Sequence, residues 1–188
     1  LIMEFMAGGS LDVLLYESPK EKKLKLSQKK KIIQGVAKGL LHLHKEGIIH
    51  RDMAARNVLL DESGTPKISD FGMSRLLGTD NDADVGKTKS SIGPIKWMAP
   101  ENMRKKYSTK SDVWAFACFL YEVFHEKEPW AEDNDLLQLA VQIRDKAVTP
   151  KVDENVTPDE YHELMKQCWN ADPKDRPSME SICEDLIF

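Results

Sequence analysis

The strongest constraint on the fold is an apolar pattern with helical spacing that runs from Ser27 to Glu46. Apolar side chains recur there three and four positions apart, at Ile32, Ile33, Val36, Ala37, Leu40, Leu41 and Leu43. Gly47 follows at the position where a left-handed residue commonly ends a helix. This pattern predicts one long amphipathic helix that needs an apolar partner.

A second apolar segment offers that partner. Residues 113–121 contain no charge, but the run is far shorter than the ~20 residues that a membrane helix needs. We therefore expect a buried helix that is capped by Ser111 or Asp112 and ends at about His125.

Shorter patterns complete a mainly helical chain with a few strands. Helices are predicted from Ser10 through Leu15, over 134–146, from a capping box at 157–160 through Trp169, and from Ser178 onward. Strand-like pieces with polar turns between them stand at 48–49, 58–60 and 67–68. The segment 72–91 is polar, lacks periodicity and is predicted to be a long loop. The fold class expected is mainly α, within α+β, with short β-hairpins.

Composition narrows the class of protein. A chain of 188 residues is long enough for one domain with its own core. The net charge of -4 argues against a protein that binds nucleic-acid phosphates. No signal peptide or membrane segment is recognisable. Cys118, Cys168 and Cys183 are isolated from one another, which indicates a reducing compartment and no structural metal.

Three polar motifs stand in order in the middle of the chain. HRDMAARN occupies positions 50–57, DFG occupies 70–72 and APE occupies 99–101. Their order and spacing resemble the eukaryotic protein kinase signature HRDxxxxN, DFG and APE. The agreement continues in SDVW at 111–114, CW at 168–169, DP at 172–173 and RP at 176–177, so the resemblance covers essentially the whole chain.

The resemblance implies a partial kinase catalytic domain over residues 1–188. The hinge is expected at 1–9 with Met3 as the gatekeeper, the catalytic loop and DFG motif at 48–72, and the activation segment at 72–101. The Gly-rich loop, the phosphate-binding lysine and its partner glutamate belong to an N-terminal lobe that this sequence does not contain. We expect that lobe to be required, so the chain alone should show little or no activity.

The resemblance also implies the chemistry. Phosphoryl transfer asks a protein mainly to position groups and to neutralise charge. Asp52 is expected to accept the proton of the substrate hydroxyl, while Asn57 and Asp70 supply oxygen ligands to Mg²⁺. Arg56 approaches the transferred phosphate or the substrate, with a surface ion pair as the alternative. The implied cofactors are ATP and Mg²⁺, and the implied partner is a protein substrate.

Several residues resemble the adenosine-binding part of a kinase. The carbonyl of Glu4 and the amide of Met6 are expected to bind the edge of adenine, and Leu59 to form the apolar floor beneath it. Ser10 or Asp12 is placed to reach the ribose. Core packing is an equally good interpretation of Leu59 alone, and helix capping is the better one for Ser10.

Other matched residues resemble structural supports. Glu101 and Arg176 resemble a buried ion pair that anchors the end of the activation segment. Asp112 resembles the residue that binds the backbone of the catalytic loop, and Arg51 the arginine that receives an activation-loop phosphate.

Two segments indicate the acceptor hydroxyl. Ala54 stands where serine/threonine kinases usually have a lysine, and the sequence AAR at 54–56 resembles tyrosine kinases. The sequence PIKWM at 94–98 resembles their substrate-binding loop. Tyrosine is therefore the expected acceptor. The expected location of the protein is the cytoplasm, or the cytoplasmic part of a receptor.

One departure leaves alternatives open. No tyrosine lies between residues 72 and 99, and the nearest hydroxyls are Thr88, Ser90 and Ser91. The chain is alternatively part of a tyrosine-kinase-like enzyme that phosphorylates serine or threonine, of a dual-specificity kinase, or of a noncatalytic scaffold.

Overall fold

The computed structural model describes residues 4–19, 23–71, 74–76 and 95–186. Its helices are α1 (Leu11–Tyr16), α2 (Leu26–Lys45), α3 (Thr109–His125), α4 (Leu136–Lys146), α5 (Asp159–Cys168) and α6 (Met179–Asp185). Its strands are β1 (Gly9–Ser10), β2 (Ile48–Ile49), β3 (Val58–Leu60), β4 (Pro66–Ile68) and β5 (Arg75–Leu76). The mainly helical fold with short hairpins is confirmed.

Helix α3 forms the centre of the core. Every residue from Ser111 to Phe124 is buried, because the helix is surrounded on all sides by α2, α5 and the loops that join them. A helix without a polar face is stable in water only in such a position. The predicted buried helix is therefore confirmed.

Helix α2 packs its apolar face against α3, α6 and the β3–β4 hairpin. The predicted apolar residues are buried except Leu41, which is half-buried, and Gly47 follows the helix with a φ of +72°. A Cβ on Gly35 would lie 2.5 Å from Pro66 Cγ, so the glycine lets β4 approach the helix closely. This contact fixes the hairpin on which part of the site is built.

Three predicted helix caps are wrong. Ser10 occupies the N-cap position of α1, but its side chain makes no capping hydrogen bond. Helix α3 begins one turn earlier than expected, because Ser108 accepts a hydrogen bond from the amide of Lys110 at 3.2 Å while its own amide donates to Ser111 Oγ. Helix α5 begins after Pro158, and the buried hydroxyl of Thr157 has no partner in the described part of the chain, so the expected capping box does not form. Ser178 does cap α6, as predicted.

The strands form two small antiparallel sheets. One has the order β1–β3–β4, and the other pairs β2 with β5. Strand β5 lies inside the segment 72–91 that was predicted to be a loop, which corrects that prediction for residues 75–76. Its pairing with Ile48 and Ile49 is a tertiary contact that local sequence does not reveal.

No helix in the described ranges combines the length and apolarity that crossing a bilayer requires. The three cysteines carry free thiols; Cys118 and Cys168 are buried and Cys183 is half-buried.

Candidate active site

One buried carboxylate, that of Asp112, binds the backbone of the loop between β2 and β3. Asp112 accepts hydrogen bonds from the amides of His50 and Arg51, each at 2.8 Å. His44 Nε2 also lies 2.9 Å from Asp112 Oδ2. Arg51 has a φ of +71°, a strained backbone conformation for a residue with a side chain, and these bonds stabilise it. Asp112 therefore binds the loop backbone as predicted.

Within this loop, Asp52 is oriented by two neighbours. Asn57 Nδ2 donates to the backbone carbonyl of Asp52 at 2.6 Å and to its Oδ2 at 2.9 Å. A guanidinium nitrogen of Arg56 donates to the other carboxylate oxygen. The Asp52 side chain retains 13% exposure, so the fixed carboxylate still reaches solvent. The structure brings these three predicted catalytic residues together.

The β3–β4 hairpin brings the DFG motif to the same place. The pairing of Val58 with Ile68 puts Asn57 and Ser69 at the same end of the two strands. Ser69 donates to the Asn57 carbonyl from its amide at 2.8 Å and from its hydroxyl at 3.1 Å. Asp70 follows Ser69, is exposed and has a φ of +60°. Asn57, immediately before β3, and Asp70, two residues after β4, thus lie at the same end of the hairpin.

His50 fastens these two segments to each other. Its side chain is fully buried, and its Nε2 donates to the carbonyl of Ser69 at 3.1 Å. Its ring also contacts Phe71 edge to face, with the ring centroids 5.7 Å apart. His50 therefore positions Ser69 and Phe71, the residues on either side of Asp70.

The first described residues lie against the other edge of this hairpin. Gly8 donates to the Leu60 carbonyl at 2.9 Å, and Ser10 pairs directly with Leu59. Leu59 is half-buried, and the side chain of Ser10 makes no capping bond to α1. The Glu4 side chain binds Lys67 on β4. Ser10 and Leu59 therefore lie on neighbouring strands of one small sheet, and the side chain of Glu4 contacts its third strand.

Arg56 lies on the face of an aromatic ring. Its guanidinium carbon is 4.4 Å from the ring centroid of Trp97, which belongs to the helical turn at residues 95–97. This stacking is added to the hydrogen bond that Arg56 makes to Asp52. The predicted tyrosine-type segment and the predicted substrate loop are in direct contact.

A glutamate that the sequence did not single out lies beneath this contact. Glu122 is 1% exposed, and its Oε2 accepts from the Trp97 indole N–H at 2.8 Å and from the Ala55 amide at 3.0 Å. Its Oε1 accepts from the Tyr16 hydroxyl. Burial raises the pKa of Glu122 to about 7. Burial also raises the pKa of Tyr16, so this hydroxyl remains a donor.

The expected ion pair at the end of the activation segment is present. Arg176 Nη1 and Nη2 donate to the two carboxylate oxygens of Glu101 at 2.7 and 2.9 Å. Arg51, the predicted phosphate-binding arginine, stacks on the ring of Tyr107 at 3.8 Å. Its role towards a phosphate stays a prediction.

Several predicted positions lie outside the described residues. They are the gatekeeper Met3, Gly72 of the DFG motif, Pro94 of the substrate loop and the hydroxyl residues Thr88, Ser90 and Ser91.

The donor set suits a magnesium ion whose remaining ligands are phosphate oxygens and water. Among the described residues, no group of three or more His, Cys, Asp or Glu side chains could hold a metal alone. Mg²⁺ is commonly bound through one or two protein oxygens, with phosphate and water completing the shell. Asn57 and Asp70, at the same end of the β3–β4 hairpin, offer oxygens of that kind.

Comparisons with known proteins agree with the geometry. The family described as "Protein tyrosine and serine/threonine kinase" matches residues 1–186. The human tyrosine-protein kinase FRK is 36% identical over 97% of the chain and 36% of its own length. A probable serine/threonine-protein kinase of Dictyostelium discoideum is 32% identical over 99% of the chain and 14% of its own length. The mitogen-activated protein kinase kinase kinase mkh1 of Cytospora mali is 37% identical over 100% of the chain and 10% of its own length.

The chain thus spans about a third or less of the length of these relatives. The match to the family covers the catalytic loop, the DFG motif and the APE motif together. The chain therefore belongs to the protein tyrosine and serine/threonine kinase family.

Proposed function

We propose that this chain carries the catalytic loop of a kinase that transfers the γ-phosphoryl group of ATP to a tyrosine hydroxyl of a protein substrate. The observation that carries the proposal is the carboxylate of Asp52, which Asn57 and Arg56 hold in one orientation while it stays open to solvent. The compartment proposed is the cytoplasm or the cytoplasmic part of a receptor.

In this mechanism Asp52 is the group that receives the proton of the substrate hydroxyl. Its two oxygens are already bound by nitrogen donors, which fixes the direction in which a hydroxyl approaches. Proton acceptance by a positioned carboxylate typically contributes 10²–10⁴-fold to a rate. Arg56 stays beside this carboxylate and can face the developing charge on the phosphoryl group.

Asn57 and Asp70 are the proposed magnesium ligands. The two bonds that Asn57 Nδ2 makes to Asp52 leave the amide oxygen of Asn57 to face away from that residue. These two residues would hold Mg²⁺, whose charge would offset the negative charge of the nucleotide phosphates. The His50 contacts with Ser69 and Phe71 keep Asp70 next to Asn57.

The sheet β1–β3–β4 supports the proposed nucleoside site. Glu4 and Met6 would bind the edge of adenine through their backbone groups, with Leu59 beneath the ring and Ser10 near the ribose. The direct pairing of Ser10 with Leu59 supports this assignment, because it places both residues on neighbouring strands.

Tyrosine is proposed as the acceptor because of the AAR segment at 54–56 and its contact with Trp97. The stacking of Arg56 on Trp97 joins the two segments whose sequences indicated tyrosine. Serine or threonine is the second candidate acceptor, since a relative named as a probable serine/threonine-protein kinase matches the chain about as well as one named as a tyrosine-protein kinase.

Phosphoamino-acid analysis tests the acceptor. The full-length protein is incubated with radiolabelled ATP, Mg²⁺ and a peptide mixture in which tyrosine, serine and threonine occupy equivalent positions. We expect phosphotyrosine as the dominant product. Dominant phosphoserine or phosphothreonine would transfer the proposal to the second candidate, and no incorporation would contradict both.

A further inference from the structure

We propose that Trp97 is a positioning residue that holds Arg56 against Asp52, and that Glu122 is the anchor of Trp97. The inference rests on the proposed function, because Asp52 is the proposed proton acceptor. It adds two residues, neither of them in the catalytic loop, to the machinery that orients this carboxylate.

The contacts form one continuous chain. Glu122 Oε2 accepts from the Trp97 indole N–H at 2.8 Å, and the Trp97 ring lies 4.4 Å from the guanidinium carbon of Arg56. Arg56 in turn donates to Asp52. The first two steps join side chains from different parts of the sequence, whereas Arg56 and Asp52 belong to one loop, so the fold sets where the ring lies.

One carboxylate oxygen fixes both sides of the stacking contact. The oxygen that holds the Trp97 ring also accepts from the amide of Ala55 at 3.0 Å. Ala55 immediately precedes Arg56. The same oxygen of Glu122 therefore fixes the position of the Trp97 ring and of the backbone next to Arg56.

Arg56 needs such support more than its neighbours do. Its side chain is 33% exposed, whereas Trp97 is 8% exposed and Glu122 is 1% exposed. A long, partly exposed side chain has many rotamers, and a rigid ring beneath it removes most of them. Without the ring, Arg56 would spend less time on Asp52, and the carboxylate would lose one of its two nitrogen donors.

Substitutions separate this role from ordinary core packing. Trp97→Leu removes the ring and its N–H group. Trp97→Phe keeps a ring under Arg56 but removes the N–H donor. Glu122→Gln keeps a carbonyl oxygen for Trp97 and Ala55, and its NH₂ group can donate to the Tyr16 hydroxyl. Glu122→Leu fills the same space without an acceptor. Tyr121→Phe, one residue earlier on α3, is the matched control.

Kinetics of the full-length protein give the first readout. We expect Trp97→Leu and Glu122→Leu to lower kcat by about 10²-fold with KM for ATP unchanged, because misplacement of a catalytic group by about 1 Å can cost that much. Trp97→Phe should lower kcat less, Glu122→Gln should restore most of the kcat that Glu122→Leu loses, and Tyr121→Phe should keep the wild-type value. Wild-type kcat in either leucine variant would overturn the proposal.

Nuclear magnetic resonance gives a readout that does not depend on activity. In wild type the Arg56 side-chain resonances should carry the ring-current shift of Trp97. Trp97→Leu should abolish that shift, and Glu122→Leu should move it together with the Trp97 indole resonance. Unchanged Arg56 resonances in both variants would overturn the inference even if the wild-type protein phosphorylated nothing. That inactivity alone would contradict the proposed function.

Discussion

Arg176 and Glu101 form a two-point ion pair that joins the segment before α6 to the helical turn at residues 102–104. Both guanidinium nitrogens involved lie within 2.9 Å of a carboxylate oxygen, and the Arg176 side chain has no exposed surface. Arg176 also donates to the carbonyls of Lys110 and Asn170, at 2.9 and 2.8 Å. One side chain thus connects α3, the residues that follow α5 and the turn that begins after Glu101.

Arg176→Ala should therefore destabilise the fold strongly. The substitution leaves the Glu101 carboxylate without its charged partner and removes the Arg176 donors from the carbonyls of Lys110 and Asn170. Breaking a buried ion pair in this way typically costs about 3–5 kcal/mol. Urea unfolding measures the loss. Lys174→Ala, two residues away and exposed, is the control and should stay within about 0.5 kcal/mol of wild type. Equal effects of the two substitutions would contradict the structural role of the pair.

Asp112→Asn should weaken the support of the catalytic loop. An asparagine can accept with one oxygen only, so His50 or Arg51 would lose its acceptor, and the φ of +71° at Arg51 would lose support. A hydrogen bond to a charged group contributes about 1.5–3 kcal/mol, and we expect a loss of that size in urea unfolding. Asp135→Asn, which keeps the N-cap of α4, should be close to neutral. A neutral Asp112→Asn would contradict the account of the loop.

Glu122 should make stability depend on pH. Burial raises its pKa from 4.5 to about 7, so between these values the unfolded chain has released the proton that the folded chain keeps. The contribution of Glu122 to the free energy of unfolding is therefore largest below pH 4.5 and falls by about 3 kcal/mol as pH rises through 7. Denaturation at a series of pH values compares wild type with Glu122→Gln. Parallel curves for the two proteins would contradict the prediction.

Asp70→Asn should remove the effect of magnesium on nucleotide binding. A ligand at about 100 times its Kd stabilises the fold by about 2.7 kcal/mol, which appears as a rise in Tm. In the full-length protein, Mg²⁺ should enlarge the rise that ATP causes, and Asp70→Asn should abolish that enlargement. Asp145→Asn, exposed on α4, is the control. An enlargement of wild-type size in Asp70→Asn would contradict the assignment.

Local pattern was enough for much of the fold. The spacing of apolar residues predicted α2, because a helix that buries one face has apolar residues three and four positions apart. The uncharged run predicted α3, because a helix that is buried on all sides is apolar throughout. Gly47 was predicted as the left-handed residue after α2 and has a φ of +72°. The order of the three polar motifs predicted which residues would meet in the catalytic loop.

The remaining features depend on contacts between distant residues. Asp112 binds the backbone of the catalytic loop and the Ser111 hydroxyl binds Ser108 and Glu101, so Ser108 is the residue that caps α3. Strand β5 exists through its pairing with β2. Glu122 follows an apolar run, and its donors Tyr16, Ala55 and Trp97 lie 106, 67 and 25 residues away. No local signal distinguishes it from an ordinary helix glutamate.

The central claim is that Asp52 acts in phosphoryl transfer, and Asp52→Asn tests it most directly. The measurement is kcat for transfer of the γ-phosphoryl group of ATP to a peptide by the full-length protein, beside the nucleotide-induced rise in Tm. Asparagine keeps the shape and can still accept from Asn57 or Arg56, but it cannot take a proton from a hydroxyl. We predict a loss of about 10²–10⁴-fold in kcat with the nucleotide-induced rise in Tm unchanged. Wild-type kcat in Asp52→Asn would contradict the account.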